Sequence, residues 1–210
     1  MKKILLIGDS IMQVYDKYIK MAFEGIADVF YPEENCRFTT YIIRNLYEWK
    51  KQLGCEDVDL VHWNAGLWDD LVMIDGKPLV SLEDYKLNIE RICNLISQLF
   101  PTAKMIFATS TPVREELFNE IKRFNKDTEA YNKAATETVT CHGGSVNDLY
   151  TLMTSVPVEY HSDLTHYYTK EGTRVITEQV KKHIENALGI KGHALDYDRL
   201  FAGESDPVGM

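Results

Sequence analysis

The feature that most limits what this chain can fold into is a regular exchange between two hydrophobic periods. Short apolar runs at Lys3–Ile7, Asp28–Tyr31, Val58–Trp63 and Ala103–Ala108 each give way to a longer stretch with apolar residues at helical spacing. A short run with little polar alternation is the pattern of a strand covered on both faces. Ile11, Val14, Tyr15, Tyr18, Ile19, Ala22 and Phe23 form one helical stripe. They predict a single helix of about three to four turns that opens at Ser10 or Ile11 and ends at Gly25. Thr39–Lys51 turns Ile42, Ile43, Leu46 and Trp49 inward and is closed by Gly54. Ser81 reads as the N-cap of a helix whose apolar face is Tyr85, Ile89, Ile92, Cys93, Ile96 and Phe100. Further helices are predicted over 125–141 and Lys170–Leu188, with a short fifth strand at Ser145–Asn147. Residues 65–80 and 155–167 read as loops.

Strands that alternate with helices imply a parallel sheet, right-handed crossovers and helices on both faces. The expected architecture is a three-layer α/β/α sandwich, flavodoxin-like, with a central parallel sheet of about five strands. In such sheets ligands bind outside the carboxyl ends of the strands. Gly8-Asp9-Ser10, Asn64–Asp70 and Thr109–Val113 therefore fall along one rim. The loop over 65–80 is longer than most connections, which points to function. One domain is expected over 1–190, followed by a tail over 191–210 that has no sustained period. That tail reads as extended or partner-bound, a route to a homo-oligomer.

Composition narrows the function. Of 210 residues, 45% are hydrophobic and 26% charged, enough to build a sizeable core. The net charge of −9 argues against nucleic-acid or anionic-membrane surfaces, which need clustered Lys and Arg. Cys36, Cys55, Cys93 and Cys141 are far apart and form no C-x-x-C pair, so they read as reduced thiols. No His/Cys cluster has metal-ligand spacing, and neither a metal nor a cofactor is expected. The apolar run after Met1-Lys2-Lys3 breaks at Gly8, too early for a signal peptide, and no cleavage site follows. No apolar stretch approaches the roughly 18 residues of a membrane span. The expectation is a soluble, cytoplasmic protein.

Ser10 would stand at a helix start, where backbone N–H groups are unpaired and carry partial positive charge. It is either a simple N-cap or a nucleophile whose own N–H helps to bind an oxyanion. Neither phosphate-loop pattern is present. A nucleophilic serine needs a base. His183 lies on a Lys-rich helical turn, His142 at a helix end and His62 within a strand. His166 differs, because it stands in a loop just before the last helix with Asp163 three residues earlier. A carboxylate so placed can reach the imidazole Nδ1–H, fix the tautomer and stabilise the imidazolium.

Gly8-Asp9-Ser10 after a first strand, with Asp163-Leu164-Thr165-His166 before a C-terminal helix, resembles the SGNH (GDSL-type) hydrolase family of esterases and acylhydrolases. Thr169-Lys170-Glu171-Gly172 and Thr109–Val113 extend the resemblance, which runs to about residue 188. It implies that Ser10 is the nucleophile, His166 the general base and then acid, and Asp163 the orienting carboxylate. It also implies an oxyanion hole made from the Ser10 N–H, a second-block backbone N–H and a third-block asparagine. Here the middle blocks depart from the family. Cys36 stands at the expected glycine, and Gly66-Leu67-Trp68-Asp69 carries Trp68 in the asparagine slot. Any non-proline residue has a backbone donor, so Cys36 is expected to serve. Asn64 is the nearest amide; it either completes the hole or ties down the loop. Asp9, Gly66, Arg37 and Trp68 complete the substrate-side candidates. Arg37 either grips a substrate carboxylate or phosphate or pairs with Glu33 or an Asp. A glycosidase-type pair at Asp69 and Asp70 is the rival chemistry. The expected function is removal of a small acyl group, acetyl by preference, from a carbohydrate or other small ester. The alternative is a non-catalytic binding module with an altered oxyanion hole.

Overall fold

The computed structural model describes residues 1–208. Five strands form one parallel sheet: β1 (Lys2–Ile7), β2 (Ala27–Phe30), β3 (Leu60–Trp63), β4 (Lys104–Ala108) and β5 (Ser145–Asn147). Their order across the sheet is β2-β1-β3-β4-β5. This is the flavodoxin-like order, whose ligand crevice lies where the winding reverses, between β1 and β3. The expected three-layer α/β/α class is the observed one.

Strand pleating sorts the core into two halves. Ile4 and Leu6 of β1, with Leu60 and Ile106, face α1 (Ser10–Gln13), α2 (Asp16–Ala22) and α7 (Lys170–Leu188). Leu5 and Ile7, with Val61, Trp63 and Phe107, face α3 (Thr39–Gln52), α4 (Leu82–Leu99) and α5 (Asn125–Cys141). Neither face of the sheet is left open, which explains why the strands read as unbroken apolar runs.

Several boundaries differ from the sequence reading. The single helix after Ser10 is two, α1 and α2, parted at Val14 and Tyr15. Both residues are buried, so the apolar stripe continues across a break it cannot reveal. β3 begins at Leu60 rather than Val58, and β2 one residue before Asp28. A short helix, α6 (Leu149–Thr154), follows β5 and is capped by the Asp148 carboxylate. The last segment carries α8 (Tyr197–Leu200) and folds back on its own chain. Phe201 and Val208 are buried with Tyr18, and the Val208 N–H donates to the Tyr168 carbonyl at 2.8 Å. No helix among the described residues is long and apolar enough to cross a membrane.

Candidate active site

β1 ends in Gly8, and the chain turns at once into α1. Asp9, not Ser10, is the N-cap: its Oδ1 accepts the Ile11 N–H at 2.9 Å. The same oxygen accepts the Asn64 amide N–H at 2.8 Å, which ties the exit of β1 to the exit of β3. Capping by Asp9 leaves Ser10 as the first helical residue, half-buried, with its hydroxyl outside the cap. The Ser10 N–H has no backbone acceptor among the described residues. Gly8 is required by close approach, because a Cβ there would overlap Asn64 Oδ1 and stand 2.7 Å from Met12 Cβ. Burial pushes the Asp9 carboxyl up. The Asn64 and Ile11 bonds and the positive charges of Arg123 and His166 work against that rise.

The second part of the site comes from the loop before α7. Asp163 Oδ2 meets His166 Nδ1 at 2.7 Å. Asp163 Oδ1 accepts the N–H groups of Thr165 and His166 at 2.6 and 2.7 Å, so the carboxylate is fixed from three directions. Partial burial raises the Asp163 pKa, but the His166 side chain and the two backbone donors outweigh it and hold the carboxyl below its ordinary value. The loop is stitched to the rim at several points. The Arg114 N–H donates to the Leu164 carbonyl at 2.8 Å, Tyr167 Oη donates to the Pro112 carbonyl at 3.2 Å, and Tyr168 Oη donates to the Ser10 carbonyl at 2.9 Å. The Tyr168 ring lies 5.2 Å from the His166 ring. One tyrosine thus spans from the Ser10 backbone to the imidazole.

The expected oxyanion donors are rearranged. The Cys36 N–H is already spent on the Gly8 carbonyl at 3.0 Å, so Cys36 is corrected from donor to strut. Burial pushes its thiol up to about 12, which removes it as a thiolate nucleophile as well. The residue with a glycine-like backbone is its neighbour Arg37, at φ 55. A side chain in that left-handed region costs on the order of 1 kcal/mol or more. The Arg37 N–H turns toward Asn35 Oδ1, at 2.8 Å. Asn64 is fully buried with its amide given to Asp9, so it ties the loop down rather than reaching toward substrate. Gly66, at φ 150, is buried against Ser110, where a Cβ would stand 2.5 Å from the hydroxyl oxygen; it shapes the turn. Trp68 is the half-buried residue of this otherwise buried turn. Of the expected donors, the Ser10 N–H is the one left without a backbone acceptor among the described residues.

Asp69 and Asp70 do not form a working acid/base pair. Asp69 is buried and accepts the Thr39 N–H at 3.0 Å and its hydroxyl at 2.5 Å, anchoring the start of α3. Asp70 accepts the Thr128 hydroxyl at 2.6 Å. Burial raises the two carboxyls to about 7 and about 6 respectively. Their side chains serve different helices, and neither is open to a substrate.

One residue the sequence did not flag is Arg123. Its side chain, 12% exposed, donates to the Leu67 carbonyl at 2.5 Å and lies 3.6 Å from Asp70 Oδ1. It grips the turn on both sides of Trp68. An isolated Arg in a turn-rich stretch carries no local signal of this role. Two of the other histidines are held by packing. His62 is sealed between Tyr15 Oη and Asn147 Nδ2, and burial lowers it to about 3. His161 stacks on Tyr167 at 4.0 Å.

The chain thus places a serine after β1 and an Asp-His pair before α7, at the carboxyl rim of a β2-β1-β3-β4-β5 sheet. Solved structures share the fold at low sequence identity. A lipase/acylhydrolase from Enterococcus faecalis superposes with a TM-score of 0.71 at 20% identity, over 93% of this chain and 100% of that one. An acetyl xylan esterase gives 0.69 at 11% identity, over 87% and 99%. A member of the lipolytic G-D-S-L family from Veillonella parvula gives 0.64 at 17% identity, over 87% and 97%. No protein-family model matches the sequence, and no curated protein is detectably similar to it by sequence.

Proposed function

We propose that the chain is a serine ester hydrolase. One observation carries the reading: the Asp163–His166 pair at 2.7 Å is fastened, through Tyr168, to the backbone of a serine that Asp9 has freed from capping. In the reaction the Ser10 Oγ attacks the ester carbonyl carbon while His166 Nε2 takes the hydroxyl proton. The oxyanion is met by the Ser10 N–H and the Trp68 indole N–H. The ester C–O bond breaks, and the alcohol leaves with the proton from His166. Water then attacks the acyl-enzyme, giving its proton to His166; the acid departs and Ser10 regains its proton. Among the groups this site could accept, a small acyl group on a carbohydrate is favoured, because the acetyl xylan esterase shares the fold and the half-buried Trp68 follows β3 at the same rim as an aromatic platform.

The non-catalytic reading has an observation in its favour: Cys36 and Asn64, the donors first expected, are both committed elsewhere. Hydrolysis of 4-nitrophenyl acetate and longer-chain esters by the wild type, Ser10→Ala and His166→Ala separates the two. Turnover lost in both folded variants supports the hydrolase. Equal rates in all three, or none in the wild type with any ester, favour the binding module.

A further inference from the structure

Arg37 stands at a defined place between the two turns of the site. Its neighbour Cys36 is bonded to Gly8, two residues before Ser10. Two residues on, Thr39 is bonded to Asp69, next to Trp68. Asn35 reaches Gln13 in the helix that Ser10 opens, at 3.4 Å. Arg37 therefore bridges the gap from the nucleophile turn to the Trp68 turn, and it is exposed there.

The chain holds this residue at φ 55, a conformation that glycine would adopt freely. Its guanidinium lies over the Tyr41 ring, 4.9 Å from the centroid, and forms no ion pair among the described residues. Glu34 is the carboxylate of the same loop that could quench it. That carboxylate accepts from Tyr41 Oη at 2.6 Å and Trp49 Nε1 at 2.9 Å, which with the nearby Arg37 charge hold it below its ordinary value, and it forms no direct salt bridge with Arg37. The other arginines that touch the rim are answered by carboxylates, Arg114 by Glu116 and Arg123 by Asp70. A guanidinium braced on an aromatic ring, free of a direct salt bridge among the described residues and carried by the segment between the two turns, matches a planar anion, which its fork can bind in two places.

We infer that Arg37 determines specificity by selecting ester substrates that carry a carboxylate or phosphate near the scissile ester. The inference rests on the serine-esterase reading. The anion belongs either to the alcohol, as in an acetylated uronate or sugar phosphate, or to the acyl group, as in a half-ester of a dicarboxylic acid.

The test compares matched esters on the wild type, Arg37→Gln and Arg37→Lys. Acetylated methyl glucuronoside and acetylated glucose 6-phosphate are set against acetylated methyl glucoside, and 4-nitrophenyl hydrogen glutarate against 4-nitrophenyl valerate. The expected result is an anionic-over-neutral ratio in kcat/KM that falls at least tenfold in Arg37→Gln, is partly kept in Arg37→Lys, and shrinks as salt is raised. The pair that shows it assigns the anion to the alcohol or to the acyl side. Each ratio is taken within one protein, so a general loss of folded enzyme does not move it. A wild-type ratio near one, or a ratio unchanged by Arg37→Gln, overturns the inference. Calorimetric titration of Ser10→Ala with the acetylated methyl glucuronoside and glucoside separates the two readings. Arg37-dependent preference for the glucuronoside without wild-type turnover keeps the anion site and removes the hydrolase. No binding and no turnover removes both.

Discussion

Tyr168 Oη donates to the Ser10 carbonyl at 2.9 Å, across 158 positions of sequence, while its ring lies 5.2 Å from His166. This residue couples the two halves of the site that come from opposite ends of the chain. Tyr168→Phe keeps the ring and removes the bond. A hydrogen bond is worth about 1 kcal/mol, so kcat is expected to fall about fivefold with KM little changed. Steady-state kinetics on a folded variant check this.

In the proposed reaction the Trp68 indole N–H takes the place of the expected amide donor. Trp68→Phe removes the indole N–H but keeps an aromatic ring. Losing one oxyanion donor costs roughly 10²–10³ in kcat, and that is the expected loss. Trp68→Asn, which puts an amide donor back, is expected to recover part of it. Equal kcat in Trp68→Phe and wild type would falsify the assignment.

Asp163 holds His166 by its Nδ1–H. Asp163→Asn leaves the loop packed but presents the imidazole with the wrong partner, and a loss of up to about 10⁴ in kcat is expected. Steady-state kinetics on the folded variant check this, and a kcat near the wild-type value overturns the assignment.

How much of this was legible beforehand depends on whether the information is local. α7 runs from Lys170 to Leu188, as its spacing predicts, because Thr169 caps it and Gly189 at φ 66 stops it. α4 is equally plain, since Ser81 accepts the Asp84 N–H. The choice of Asp9 over Ser10 as cap was not legible. Adjacent polar residues compete for one position, and Asn64 on another strand settles the contest. The same holds for Cys36, whose N–H is claimed by Gly8 once β1 and the loop are side by side. Arg123 and Tyr168 act only through contacts distant in sequence. Pattern reading picked out Ser10, Asp163 and His166 from local context and missed the residues whose contacts tie them together.

Gly8 admits no side chain. Gly8→Ala forces a methyl against Asn64 and Met12, and overpacking of this kind costs about 1–3 kcal/mol. A lowered denaturation midpoint is expected. Activity should also fall, because Asn64 must move and it holds the Asp9 cap.

His62 makes stability depend on pH. It is neutral in the fold, with its pKa lowered from 6.5 to about 3 by burial. Below 6.5 the unfolded chain takes up a proton that the folded chain refuses. The contribution is therefore complete above 6.5 and is lost as pH falls toward 3, at about 1.4 kcal/mol per pH unit. Asp69 and Asp70 act in the opposite sense, because their raised carboxyls favour the fold at low pH and cease to as pH rises toward 7 and 6. Comparing wild type with His62→Gln cancels that opposing trend. The stability difference between them, from urea unfolding at pH 7, 6 and 5, should shift against the wild type as pH falls. A constant difference refutes this.

The folded-back end of the chain has a practical side. Val208 is bonded to the backbone of Tyr168, and Asp206 accepts the Lys170 N–H at 3.1 Å, at the start of α7. Met1, 74% exposed, leads into the amino end of β1, on the far side of the sheet from Ser10. A substitution that loosens Val208 therefore acts one hydrogen bond away from Tyr168, whose hydroxyl is bonded to Ser10, whereas one beside Met1 is separated from the chemistry by the length of a strand.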